Sequence, residues 1–200
     1  MCKLNDWDKS GVAEIIQSLW LNNHNELEHR TRLADLVSSC SYLPSRDASF
    51  LEAGCGSGLV YSALVPAVIT NYTGIDTSRE MLKLANANYP QGKFIYGDIF
   101  NLDFPDKSFD IVASFEVLGH LPDIEIPIRE MFRVAKKYLI FTIWVSDSDK
   151  ITEVSYEKHG DVTFLFKKYA RDEIAKAIPS GHIVRTQCLS GSCWAYLITI

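Results

Sequence analysis

Apolar residues recur along the chain with two periods, and the order of those periods predicts an architecture. Residues 12–21 carry Val12, Ile15, Ile16 and Leu19 on one helical face. Residues 25–40 repeat the pattern with Leu33, Leu36, Val37 and Cys40 at i, i+3, i+4 and i+7, and Pro44 ends this helical opening. From Ser49 onward, short apolar runs alternate with helical periods. Strand-like runs cover residues 49–53, 69–75, 93–96, 109–115 and 138–145. Between them lie a helix over 59–65, stopped by Pro66, and a helix running to about Asn88. Thr77-Ser78-Arg79-Glu80 has the form of a capping box that opens the second of these helices. A third helix carries Pro127 in its first turn, with Ile128, Met131, Phe132 and Ala135 on one face.

Alternating strands and helices imply parallel strands joined by helical crossovers. The last 50 residues read differently. Residues 151–158 and 161–168 suit a hairpin around His159-Gly160-Asp161, followed by a short helix over 171–178. Two strands, 182–189 and 193–200, are separated only by Ser190-Gly191-Ser192 and must pair antiparallel. The expected fold is therefore α/β: a doubly wound seven-stranded sheet, mostly parallel, with an antiparallel C-terminal edge hairpin and helices on both faces. The expected organisation is one domain over 1–200. Residues 1–45 would form a helical lid, 46–145 a cofactor-binding core, and 146–200 a substrate-side hairpin and the terminal strands.

Composition narrows the partners. Twenty Lys and Arg against 25 Asp and Glu give a net charge of −5, and no basic run offers a footprint for a nucleic-acid backbone. Cys2, Cys40, Cys55, Cys188 and Cys193 are scattered and form no C-x-x-C, so neither a disulfide framework nor a metal site is expected. Cys188 and Cys193 stand close enough to pair across a hairpin, and reduced thiols are the expectation. No apolar run approaches a membrane span and no signal-peptide core opens the chain, which reads as cytoplasmic.

The chemistry concentrates in Glu52-Ala53-Gly54-Cys55-Gly56-Ser57-Gly58, between the first strand and the first core helix. Glycines there let the backbone approach a ligand and adopt positive φ, at the carboxyl end of the strands where open α/β sheets bind ligands. Their spacing is G-x-G-x-G. The dinucleotide fingerprint G-x-G-x-x-G would need glycine where Leu59 stands, and no Gly-Lys-Ser/Thr marks a phosphate loop. Asp76 and Asp98 end the second and third strands. A carboxylate at the first position can take both ribose hydroxyls of an adenosine, and one at the second can take the adenine amino group.

At these residues the sequence resembles the class I S-adenosylmethionine-dependent methyltransferases, whose core is Rossmann-like, and in particular the small-molecule group called methyltransferase type 11. The resemblance spans roughly residues 49–145. It rests on Phe50 to Gly58, on Gly74-Ile75-Asp76-Thr77-Ser78-Arg79-Glu80-Met81-Leu82, on Gly97-Asp98 with Phe104 to Asp110, and on Val117-Leu118-Gly119-His120-Leu121. It implies that Gly54 and Gly56 sit against the methionine part of S-adenosylmethionine and Asp76 holds the ribose. Thr77 and Met81 would lie beside the adenine, and Asp98 would receive its amino group near the Ile99 amide. Phe115 and Glu116 would lie below the sulfonium. Glu52, Ala53, Cys55 and Gly97 complete the cofactor set, with Glu52 standing where the family usually has Asp.

No catalytic side chain is required by this resemblance. His120 is the candidate, as a general base or a substrate contact; packing at a helix start is the plain alternative. His159 reads as a surface residue of the hairpin turn. Arg30 or Arg32 could pair with the cofactor carboxylate, or simply face solvent. Trp7, Trp20 and Tyr42 suit either a lid or a core. The fourth strand runs into Ser114-Phe115-Glu116-Val117-Leu118 rather than an Asp/Asn-Pro-Pro-Tyr/Phe or Pro-Cys segment, which disfavours amide or adenine nitrogen and cytosine carbon acceptors. A small-molecule acceptor is expected. A cofactor-binding sensor without transferase activity and an NAD-dependent oxidoreductase are the alternatives.

Overall fold

The computed structural model describes residues 6–22, 31–33, 35, 47–64 and 70–200. The chain opens with helix α1 (Val12–Asn22) and then enters a β/α alternation. Its core runs β1 (Ser49–Ala53), α2 (Leu59–Leu64), β2 (Asn71–Asp76), α3 (Arg79–Asn88), β3 (Phe94–Tyr96) and β4 (Phe109–Ser114). Helix α4 (Glu125–Val134) then leads directly into β5 (Ala135–Trp144). After these come β6 (Glu153–His159), β7 (Val162–Lys168), α5 (Arg171–Ala177), β8 (Ile183–Ser190) and β9 (Cys193–Thr199).

The main sheet has seven strands in the order β3-β2-β1-β4-β5-β9-β8. The first five are parallel; β9 runs antiparallel to β5, and β8 antiparallel to β9. Strand order reverses between β1 and β4, where the chain turns from building outward on one side to building on the other. A crevice opens there at the carboxyl ends. Strands β6 and β7 form a separate hairpin, tied to the end of β5 by a bridge between Val145 and Tyr169.

The central strands are buried on both faces, so their residues alternate between two cores. Leu51, Val112, Leu139 and Phe141 pack with Ile128, Met131 and Ile174 of α4 and α5. Phe50, Ile111, Ala113 and Ile140 pack on the opposite face with Val60, Tyr61, Leu82 and Ala85 of α2 and α3. At the far end of the strands, Asp110 accepts from the Ser49 amide and hydroxyl and meets the Lys137 ammonium at 3.0 Å. Burial pushes the Asp110 carboxyl up, but these donors outweigh it and hold it below the usual carboxylate range.

Three details depart from the sequence reading. The N-cap of α3 is Ser78, whose hydroxyl accepts from the Met81 amide; Thr77 lies one residue outside the helix. Strand β5 begins at Ala135 rather than Tyr138, because Ala135 leaves the helix in extended conformation and pairs at once with Phe109. The hairpin turn contracts to Gly160-Asp161, with His159 in the ladder opposite Val162. Most of the helix expected over 25–40 lies outside the described residues, though 31–33 and 35 are helical. Cys55, Cys188 and Cys193 carry reduced thiols.

Candidate active site

The glycine turn is built by backbone conformation. Gly54, Gly56 and Gly58 have φ of 84°, 50° and 81°, a region that side-chain-bearing residues rarely enter. The amides of Gly54 and Cys55 both donate to the Ile75 carbonyl of β2, at 2.8 and 2.9 Å. A Cβ on Gly54 would stand 2.2 Å from Val117, whereas a Cβ on Gly56 would meet nothing within 4 Å. The turn is thus packed on one side and open on the other.

Asp76 locks the turn to the end of β2. One carboxylate oxygen accepts from the Gly56 amide at 2.9 Å, the other from the Ser78 amide at 2.8 Å. Burial raises its pKa, and the Ser78 and Gly56 amides pull it back. A carboxylate has about four lone-pair sites, so these bonds leave accepting capacity for a ligand. Beneath the turn, Glu52 is only 1% exposed and accepts from the Tyr72 hydroxyl. Burial pushes Glu52 up to about 8 against the lowering effect of the Tyr72 hydrogen bond. Burial likewise raises the Cys55 thiol well above its ordinary value, which makes it a small packing residue rather than a nucleophile.

A cavity of about 1070 Å³ extends from this turn, at the upper end of ordinary ligand sites. Glu52, Gly54, Cys55 and Gly56 of the first strand end line it. Asp76, Thr77 and Met81 follow from the second strand end, Gly97, Asp98 and Ile99 from the third, and Phe115 and His120 from beyond the fourth. Of the residues expected to bind cofactor, Ala53 alone is absent from the wall: it is fully buried in the sheet, on the side packed with Leu51 and Val112. Asp98 stands at an exposed corner, with one oxygen accepting from the Phe100 amide. Met81 and Ile99 are buried and supply apolar wall between the two aspartates. An open glycine cradle, carboxylate acceptors at two strand ends and an apolar slot between them fit the methionine, ribose and adenine parts of S-adenosylmethionine.

The second half of the cavity comes from distant parts of the chain. Trp7 lies 4.1 Å from Phe164 of β7 and 5.3 Å from the His120 ring, centroid to centroid. His120 ends a short 3₁₀ turn (Leu118–His120) and its Nδ1 stands 2.7 Å from the Leu165 carbonyl. A carbonyl only accepts, so Nδ1 carries the proton and Nε2 the lone pair. Burial lowers the His120 pKa and keeps the ring neutral. Glu116 sits at φ 60° and is 9% exposed, with its amide donating to the Thr142 hydroxyl at 2.6 Å. Glu157 and His159 reach the wall from β6, so His159 lines the cavity while its side chain stays 37% exposed, in keeping with the surface position expected of it.

Glu157 and Phe164 were missed in the sequence. The signal was there: in a hairpin turning at Gly160-Asp161, residues 157, 159, 162 and 164 share one face. Arg32 does not line the cavity; its guanidinium donates to the Leu189 carbonyl at the end of β8. Arg30, Tyr42 and the Trp20 side chain lie outside the described residues.

Known proteins place this site in a family. Residues 51–141 match the family model described as a methyltransferase domain. A probable S-adenosylmethionine-dependent methyltransferase of Mycolicibacterium smegmatis is 33% identical over 143 residues, covering 71% of this chain and 49% of that protein. The 27-O-demethylrifamycin SV methyltransferase of Amycolatopsis mediterranei is 31% identical over 140 residues, covering 62% and 51%. The chain thus spans about half the length of these curated relatives. The structure of magnesium protoporphyrin IX methyltransferase from Synechocystis with bound S-adenosylhomocysteine superposes with a TM-score of 0.66 at 18% identity, covering 88% of this chain and 87% of that one, which shows the shared fold. Glycine turn, acidic strand ends, sheet order and family match agree: this chain carries a domain of the class I S-adenosylmethionine-dependent methyltransferases.

Proposed function

We propose that the protein transfers the methyl group of S-adenosylmethionine to a small-molecule acceptor. The observation that carries this is the two-part cavity. One end is a glycine turn flanked by Asp76 and Asp98; the other is a further half of the same cavity, walled by Trp7, His120 and Phe164, which a pure cofactor sensor would not need. Bound S-adenosylmethionine supplies a methyl carbon already activated by a positive sulfur, so alignment and exclusion of water are the protein's main tasks.

In this reading Gly54, Gly56 and Cys55 border the methionine part and Asp76 accepts from the ribose hydroxyls. Thr77, Met81, Gly97 and Ile99 enclose the adenine, with Asp98 taking its amino group. Glu52 lies under the turn and Phe115 under the reacting centre. His120, with its lone pair on Nε2, takes the acceptor's proton where the acceptor holds one. A small-molecule acceptor agrees with what the relatives' names state: a rifamycin for one and a magnesium porphyrin for another.

Calorimetric titration with S-adenosylmethionine, S-adenosylhomocysteine and NAD tests the cofactor half. Micromolar binding of the first two, lost by at least a hundredfold in Asp76→Ala, is expected; that factor is about 2.7 kcal/mol. Binding of NAD alone would overturn the reading. Cofactor binding with no methyl passed to any acceptor in a broad screen would favour the sensor.

A further inference from the structure

We propose that Arg133 and Glu130, neither of which lines the cavity, are positioning residues for cofactor recognition: they clamp the loop over 97–108 so that Asp98 is held where it selects the adenine amino group. This rests on the cofactor reading above and adds how the adenine end of that site keeps its shape. The loop joins β3 to β4 and contains no helix or strand beyond an isolated bridge between Asp98 and Asn101. Its first part, from Gly97 to Phe100, lines the cavity, and Asp98 stands exposed there. An exposed acceptor on an irregular segment discriminates well between ligands only when its backbone is fixed beforehand. Otherwise binding bears the cost of ordering it.

The fixing comes from the last turns of α4. Arg133 Nε and Nη2 donate side by side to the two Glu130 oxygens, at 2.9 and 2.8 Å. Nη2 also donates to the Leu102 carbonyl at 2.9 Å. Nη1 donates to the Phe104 carbonyl at 2.9 Å and to the Asp106 carboxylate at 2.8 Å. These contacts use all the N–H donors a guanidinium has. Glu130 in turn accepts from the Leu102 amide at 3.0 Å, so the pair grips Leu102 by both its amide and its carbonyl. The Arg133 carbonyl accepts from the Lys107 amide at 2.9 Å and ties down the far end of the loop. The Arg133 guanidinium beside Glu130 also holds that carboxyl below the usual carboxylate range, so Glu130 stays ionised.

The path from Leu102 back to Asp98 is short. The Asn101 amide donates to the Asp98 carbonyl at 3.0 Å, and the Phe100 amide donates to the Asp98 carboxylate at 2.9 Å. Asp98 therefore takes its place from residues 100–102, and Leu102 takes its place from α4. The Leu102 side chain is 3% exposed and packs with Ile128 and Met131 of the same helix, which sets the loop against a rigid element. An ion pair three positions apart on a helix contributes little by itself. What the Arg133 fork adds is the set of contacts to the loop, and a lysine ammonium, a single point of three donors, cannot serve acceptors so spread.

The test is ligand discrimination. S-adenosylhomocysteine and its analogue with hydrogen in place of the adenine amino group are titrated into the unaltered protein, Arg133→Lys and Glu130→Gln. The unaltered protein is expected to prefer S-adenosylhomocysteine by about tenfold or more, the ordinary worth of one hydrogen bond to a charged group. Arg133→Lys should cut that preference to about threefold or less while the affinity for the analogue changes by less than about threefold. Glu130→Gln keeps one oxygen for the Leu102 amide and loses the charge that pairs with Arg133, so its preference should lie between the two. In an Asp98→Ala background, where the preference is gone, Arg133→Lys should leave S-adenosylhomocysteine affinity within about twofold. A clamp that merely stabilised the fold would weaken both ligands alike and leave their ratio intact. An unchanged ratio in Arg133→Lys, or an equal effect with and without Asp98, would therefore overturn the proposal. If Arg133→Lys does not fold, the ratio in Glu130→Gln decides in the same way. No preference in the unaltered protein would overturn the role of Asp98 and this proposal with it, and no binding of either ligand would overturn the cofactor reading first.

Discussion

The two ends of the cavity are made in different ways. The cofactor end is a product of main chain: three strand ends, a glycine turn, and amides of Gly56 and Ser78 aimed at Asp76. The acceptor end is a product of side chains from three segments far apart in sequence: Trp7, His120, and the β6–β7 hairpin with Glu157 and Phe164. Long-range polar contacts hold it: Ser78 donates to the Trp7 carbonyl, and the Thr163 amide donates to Asp6. A main-chain site is fixed as soon as the sheet forms. A side-chain site can be rebuilt without touching the sheet, which suits a fold whose cofactor is constant and whose acceptors vary.

The largest effect should come from the turn. Gly54→Ala forces a Cβ against Val117 at a φ of 84°. Val117 is β-branched and cannot swing aside cheaply. Thermal stability should fall by several degrees and S-adenosylmethionine affinity by a hundredfold or more. Gly56→Ala is the matched control, since its Cβ meets no protein atom within 4 Å. It should cost less stability, roughly 1–2 kcal/mol for its positive φ, yet still weaken cofactor binding because the added methyl enters the cradle. Equal effects of the two variants on stability would mean that the packing against Val117 is unimportant.

Glu52 gives the next largest effect, and it depends on pH. Folded Glu52 holds its proton more tightly than the unfolded chain does, with a pKa raised from 4.5 to about 8. Its protonated form therefore stabilises the fold. That contribution is complete below about pH 4.5 and is lost as pH rises toward 8, by up to about 1.4 kcal/mol per pH unit. Denaturant melts of the free protein across that window should show the decline, and Glu52→Gln, which never ionises, should flatten it. A wild-type and variant profile of the same slope would remove Glu52 as the cause.

The residues that line the cavity at the three strand ends were almost all legible in the sequence, for a physical reason. Positive φ demands glycine, a carboxylate at a strand end can hold the amides of the neighbouring turn, and both leave local marks at fixed spacing: Gly54, Gly56, Asp76 and Asp98. Ala53 shows the limit of such marks, since it lies inside the motif yet faces the core. The acceptor end left almost no local mark. Glu157 and Phe164 meet Trp7 only through tertiary packing, and His159 looked like a turn residue because the exact length of the hairpin loop decides which face it takes. Ser78 rather than Thr77 caps α3 because its hydroxyl serves two partners, the Met81 amide and the Trp7 carbonyl; the second lies 71 positions away.

Trp7→Ala should separate the two ends by a smaller margin. The ring touches His120 and Phe164 at the acceptor side and packs against the cluster that includes Met81 of α3, and its carbonyl accepts from Ser78 at the start of that helix. Acceptor KM should rise roughly tenfold, about 1.4 kcal/mol, while the dissociation constant for S-adenosylhomocysteine changes less than twofold. A comparable loss of both would show that the N-terminal segment shapes the whole cavity and that the division drawn above is too sharp.

The smallest effect concerns what holds Trp7 in place. Asp6 pairs with Lys9 at 2.7 Å and also accepts from the Thr163 amide at 3.0 Å. Lys9 is half exposed, and an exposed ion pair three residues apart contributes little. Its ammonium also reaches the Asp161 carbonyl, a second exposed contact. Lys9→Ala should therefore change stability by no more than about 0.5 kcal/mol and leave acceptor KM unchanged. Asp6→Ala removes the acceptor of a hairpin amide, so it should loosen the β6–β7 turn and raise acceptor KM several-fold without altering cofactor affinity. The two variants delete the two sides of one ion pair. A difference between them measures the link from the N-terminal segment to the hairpin, and identical, negligible effects would mean that ring packing of Trp7 on Phe164 holds the chamber closed by itself.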